Sequence, residues 1–135
     1  MNKKIILGAL LFLIAVIVLI TWPTVSTEKE NLIQLTSPKP NEIITSPLLV
    51  QGKARGYWFF EASFPVKLLD ENSQQITIGI AQAQGEWMTE DFVPFKTILT
   101  FVKPTTKKGW LVLEKDNPSG LPEHNDELKI PVVFE

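Results

Sequence analysis

Downstream of Pro23 the apolar residues of this chain recur with a period of two rather than 3.6, and that property alone excludes most fold classes. Ile76, Ile78 and Ile80 alternate with Thr77, Gly79 and Ala81. Leu128, Ile130, Val132 and Phe134 alternate with Lys129, Pro131 and Val133, Leu48 and Val50 with Leu49 and Gln51, and Val66 and Leu68 with Lys67 and Leu69. Successive side chains of a strand point to opposite faces, so each run offers one face to a core and one to solvent. Turn chemistry separates the runs: Ser37-Pro38-Lys39-Pro40-Asn41, Gly52 to Gly56, Asp70-Glu71-Asn72-Ser73, Gly85-Glu86, Pro104 to Gly109, and Asn117-Pro118-Ser119-Gly120. Pro65, Pro94 and Pro131 interrupt runs, cannot donate to a ladder, and mark edges or bulges. The pattern predicts strands over Leu32–Leu35, Leu48–Lys53, Trp58–Leu69, Gln75–Gln82, Glu86–Phe92, Lys96–Val102, Trp110–Glu114 and Leu128–Phe134. The fold class that accommodates them is all-β, an antiparallel sandwich of about seven or eight strands.

One segment carries more than a strand needs. Gly56 to Val66 holds five aromatic residues. As a strand it puts Trp58, Phe60, Ala62 and Phe64 on one apolar face and Tyr57, Phe59, Glu61 and Ser63 on the other. The first face suits a core. The second keeps two aromatics beside a carboxylate, so it either covers a second packed layer or is a contact surface. Arg55, Tyr57, Phe59 and Glu61, joined by Asn117 and Ser119 of the last turn, are therefore the candidate binding residues, with Arg55 or Lys67 the expected ion partner of Glu61.

The residues before these strands have a different character. Lys3 and Lys4 precede sixteen residues, Ile5 to Ile20, that contain no polar side chain, and Thr21-Trp22-Pro23 closes the run. A helix from Ile5 to Trp22 rises about 27 Å, near the thickness of a hydrocarbon core. Trp22 suits the interface and Pro23 ends the helix. The two lysines hold the N-terminus in the cytoplasm and send the remainder across. The expectation is a single-pass signal anchor over residues 1–22 in the cell membrane, a polar tether over 23–31 and one extracytoplasmic domain over 32–135. The competing reading is a cleaved signal peptide and a secreted domain, although Thr24-Val25-Ser26 is no Ala-x-Ala site.

Composition narrows the chemistry. The chain has no cysteine, which removes disulfides, thiol catalysis and thiolate metal sites together. Setting Lys3 and Lys4 aside leaves 11 basic against 15 acidic residues, with no basic stripe to attract nucleic acid. His124 is the sole histidine and sits in the polar loop Pro122-Glu123-His124-Asn125-Asp126. It has no second histidine for a metal and no Gly-x-Ser-x-Gly elbow to serve. Glu61 and Glu90, each three residues after a tryptophan, are the one carboxylate pair that a glycoside hydrolase reading could use. Asp116, Asn117, Glu123 and Asp126 offer oxygens of the type calcium takes, in a spacing that matches no EF-hand. Asn117-Pro118-Ser119-Gly120 is good type I turn chemistry instead. Neither an enzyme nor a cofactor or metal site is expected.

Several segments, in order, resemble a known family. They are Ser37-Pro38-x-Pro40, Val50-Gln51-Gly52-Lys53-Ala54-Arg55-Gly56, Trp58-Phe59-Phe60-Glu61-Ala62, Phe64-Pro65-Val66-x-Leu68, Trp87-Met88-Thr89-Glu90-Asp91-Phe92, Gly109-x-Leu111 and Lys115-Asp116-Asn117-Pro118-Ser119-Gly120. Together they resemble the immunoglobulin-like domain of bacterial spore germination (the Gmad family, second type). The resemblance implies an envelope-located immunoglobulin-like sandwich and supplies no catalytic residue. The expected function is a membrane-anchored, non-catalytic binding module that contacts another envelope protein or a cell-wall component. The alternative is a passive spacer subunit of an envelope assembly.

Overall fold

A computed structural model describes residues 27–135. The helix expected over residues 5–22 and the start of the tether lie outside the described residues. Among the described residues no helix is long and apolar enough to cross a membrane.

Among the described residues eight strands form: β1 (Ile33–Ser37), β2 (Ile43–Ile44), β3 (Leu48–Arg55), β4 (Ser63–Asp70), β5 (Gln75–Ala83), β6 (Phe92–Leu99), β7 (Lys108–Glu114) and β8 (Glu127–Phe134). They hydrogen-bond in the order β1-β3-β6-β5-β4-β7-β8-β2. This continuous sheet curls over so that the β1-β3-β6 half faces the β4-β7-β8 half. Between the halves lies the core, in which Phe64 of β4 meets Phe95 of β6 edge to face at 4.9 Å. Val50, Val66, Leu68, Leu99, Leu111, Leu113 and Val132 fill the space around them. All pairings are antiparallel except β2 with β8, which is parallel and corrects the purely antiparallel expectation. The Pro38–Pro40 stretch makes that contact by carrying the chain from beside β3 to beside β8.

The three prolines sit where the ladder can spare a donor. Phe64 and Val66 bond towards β5, so Pro65 faces β7, whose pairing with β4 begins only at Val66. Pro94 accepts from the Gln84 N–H at 2.7 Å, and Pro131 accepts from Asn41 at 2.7 Å; neither needs an N–H there. The same tolerance explains one boundary error. The strands expected over Glu86–Phe92 and Lys96–Val102 are really a loop followed by one strand, β6, which runs straight through Pro94.

Alternation sets the period correctly in most strands but not always the direction. In β5, Ala81 is buried, whereas Ile78 and Ile80 point outward and are each 49% exposed. A methyl group on Gly79 would overlap the Leu99 side chain, so the inner face of β5 has no room for a larger residue at this position, while Ile76 at the start of the strand does pack against the core. Burial, not hydrophobicity, chose which face turned inward.

Candidate functional site

The strand directions gather three loops at one end of the sandwich: residues 56–62 between β3 and β4, 84–91 between β5 and β6, and 115–126 between β7 and β8. Backbone hydrogen bonds knit them together. Gly56 N–H donates to the Asp91 carbonyl at 3.2 Å, Asp116 N–H to the Trp58 carbonyl at 3.0 Å, and Ala83 N–H to the Ala62 carbonyl at 2.8 Å. The chain also enters the domain at this end. Ile33 pairs with Ala54 next to the first loop, and the Lys29 ammonium pairs with the Asp126 carboxylate.

The aromatic run is not one strand. Gly56–Trp58 forms a short 3-10 turn, and β4 starts only at Ser63. That turn rotates the side chains out of two-fold alternation. Trp58 is fully buried and Phe59 is 4% exposed, packing edge to face on Phe64 at 5.1 Å. Phe59, expected on the contact face, therefore belongs to the core. Phe60, expected inside, is 40% exposed, and Tyr57 remains outside at 49%.

Glu61 and Ala62 are the central residues of a two-residue hairpin turn closed by Phe60 N–H to the Ser63 carbonyl at 2.9 Å and the reciprocal bond at 3.2 Å. Both have positive φ, 50° and 63°. Such a turn favours Asn-Gly, since left-handed backbone costs other residues about 1 kcal/mol or more each. Replacing the pair by Glu61→Asn and Ala62→Gly should raise stability by about 1 kcal/mol after the extra unfolded-state entropy is counted. A denaturation midpoint that falls would refute that account of the turn. The turn holds the Glu61 carboxylate at the tip, exposed, and neither expected cation joins it. Lys67 pairs with Glu114 at 2.6 Å instead. Arg55 lies 3.9 Å over the Phe92 ring, and its Nε donates to the Asn31 carbonyl at 2.9 Å. Arg55 thereby ties the entering segment to β3 and is half-buried.

Asn117 and Ser119 shape their own loop. The Asn117 amide donates to the Leu121 carbonyl at 2.8 Å and to Asn125 Oδ1 at 2.7 Å, while Ser119 Oγ donates to Asn117 Oδ1 at 2.5 Å. With Asp126 held by Lys29, the four oxygens considered for calcium do not converge. The described residues contain no group of three or more His, Cys, Asp or Glu placed to hold a metal. An open polar groove of about 410 Å³ beside this loop is lined by Glu114, Lys115, Asn125, Asp126 and Glu127.

Two exposed apolar residues at this end were missed by pattern reading. Met88 is 73% exposed in the middle loop, and Leu121 is 48% exposed in the third. Met88 stands between Glu86 and Glu90, which is a signal the sequence did carry: an apolar side chain with an acid two residues away on either side. Tyr57, Phe60, Met88 and Leu121 are flanked by the exposed acids Glu61, Glu86, Glu90, Asp91 and Glu123. The end is apolar with an acidic surround.

The family pattern of the immunoglobulin-like domain of bacterial spore germination matches residues 32–120, well over half the chain. This chain belongs to that family. No curated protein matches it. The family match thus spans β1 to β7, the first two of these loops and the start of the third, and the stretch Trp58 to Ala62 proves to be a core anchor joined to an exposed turn.

Proposed function

We propose that this germination-type immunoglobulin domain is a non-catalytic binding module, held at the outer face of the cell membrane by residues 5–22, which engages another envelope protein through its three-loop end. The carrying observation is the set Tyr57, Phe60, Met88 and Leu121, exposed on three hydrogen-bonded loops and flanked by carboxylates. Tyrosine and methionine are typical of interface centres, and an acidic rim selects a basic counterpart. The entry point of the chain supports a membrane-proximal partner. Pro23 to Ser26 reaches at most about 14 Å when extended, so an anchor before it keeps the loop end close to the lipid. The acidic surround argues against the lipid headgroups themselves as the ligand.

The test is site-specific photocrosslinking in the native envelope, with the probe at Tyr57, at Met88, or at Thr105 on the far end. A discrete protein adduct is expected from the first two positions and not from the third. Tyr57→Ser with Met88→Ser should cut that adduct by about tenfold or more, the scale of losing interface anchors. The melting temperature should stay within a few degrees, since both side chains are exposed. Equal, random adducts from all three positions would leave the domain as a spacer. Adducts to glycan alone would move the ligand to the cell wall.

A further inference from the structure

The described residues contain a single sulfur atom. The chain has no cysteine and two methionines: Met1, which lies outside the described residues, and Met88. Met88 is 73% exposed at the middle of the 84–91 loop. A thioether buried in a core is shielded from oxidants, and when it does react the packing around it is lost. Neither applies here. The core between the two halves of the sheet holds aliphatic and aromatic side chains and no sulfur. The loop that carries Met88 is set by its backbone and not by that side chain. Met88 N–H donates to Glu86 Oε1 at 3.1 Å, Thr89 N–H to the Trp87 carbonyl at 2.8 Å, and Gly56 N–H to the Asp91 carbonyl at 3.2 Å. Chemistry at the Met88 sulfur therefore changes the surface of the loop and leaves the fold alone.

We infer that Met88 is a reversible oxidation site that switches the contact end of the domain, with a peroxide as the oxidant. The inference rests on the reading of that end as a binding surface and adds to it a means of control. The Met88 sulfur attacks one oxygen of hydrogen peroxide. An S–O bond forms, the O–O bond breaks, and after proton transfer water leaves; sulfur loses two electrons and the peroxide gains them. Hydrogen peroxide is uncharged, so the carboxylates of Glu86 and Glu90 on either side do not repel it. Tyr57, Phe60 and Leu121, the other exposed apolar residues of this end, do not react with dilute peroxide, so Met88 is the group that responds. The product puts a polar sulfoxide oxygen where the thioether offered an apolar contact. A partner closing over this end then has to strip water from that oxygen, and an acceptor left unpaired in an interface costs binding energy.

The test oxidises this chain and spares its partner. The full chain, with the photocrosslinking probe at Tyr57, is purified in detergent, treated with dilute hydrogen peroxide, and freed of it with catalase. It is then mixed with envelope from cells that lack the chain, before or after treatment with methionine sulfoxide reductases of both stereospecificities. Peptide mass spectrometry should place one added oxygen on Met88. The protein adduct should fall about fivefold or more on oxidation and return on reduction. The melting temperature should stay within a few degrees, because no core group has changed. The Met88→Leu chain, whatever adduct it gives untreated, should give the same amount after peroxide. An undiminished adduct from a chain oxidised at Met88 overturns the switch and leaves the binding surface standing. An unoxidised Met88, a large fall in melting temperature, or an equal loss of adduct in the Met88→Leu chain overturns it as well. No adduct from the untreated chain removes the binding surface itself, and the switch with it.

Discussion

Phe59→Ala is expected to cost about 3–5 kcal/mol of folding stability, and Tyr57→Ala less than about 0.5 kcal/mol, although the two residues are nearly adjacent. Phe59 is enclosed, with its ring edge against Phe64, which in turn packs on Phe95 of the opposite half of the sheet. Removing it opens a void between two rigid layers that cannot close over it, so the lost transfer energy and the cavity term add. Tyr57 loses only exposed contacts. A domain of this size is stable by roughly 5–15 kcal/mol, so the first substitution consumes a large share of the total. Urea denaturation of the two variants gives the comparison directly. Equal and small losses would mean that Phe59 lies outside the core after all.

Gly56→Ala is the second large effect, expected at about 3 kcal/mol. A methyl group at this buried position would overlap the carbonyl oxygens of both Thr89 and Trp87. These are backbone atoms, so no rotamer change relieves the clash; the 84–91 loop has to move. Its movement breaks the Gly56–Asp91 hydrogen bond and lifts Trp87, which packs on the core, from its place. Amide exchange should therefore accelerate at Gly56 and across residues 86–91 first. Unchanged exchange there, with wild-type stability, would show that the loop does not seat on Gly56.

The two substitutions bracket what was legible in the sequence and what was not. Period-two alternation located most strands, because the pleat enforces it wherever one face is buried, as at Leu48–Val50 and Val66–Leu68. The reading failed where a local turn competes with the pleat. Gly56–Trp58 takes a 3-10 turn, so from Tyr57 to Phe60 the exposed and buried positions no longer alternate. It also failed at β5, where hydrophobicity suggests an inward Ile78 and Ile80. The side chain of Leu99, distant in sequence, occupies that space. The two-residue strand β2 left no periodic trace at all, since it is defined by its partner β8 rather than by its own pattern. Of the candidate binding residues, Tyr57 and Glu61 stand exposed at the loop end. Arg55, Asn117 and Ser119 instead hold that end in shape, through bonds to backbone and side chains that no single-sequence pattern encodes.

The opposed placement of the two chain ends has a mechanical consequence. The chain enters beside the loops, whereas Phe134 lies at the other end, next to Lys107 and Ile44. Tension applied between those points runs along the strands. It loads the β1–β3 ladder and the parallel β2–β8 contact in shear, so their hydrogen bonds must yield together rather than one after another. Held by its first residues and pulled by its last, the domain would resist as a strut and not open like a zip.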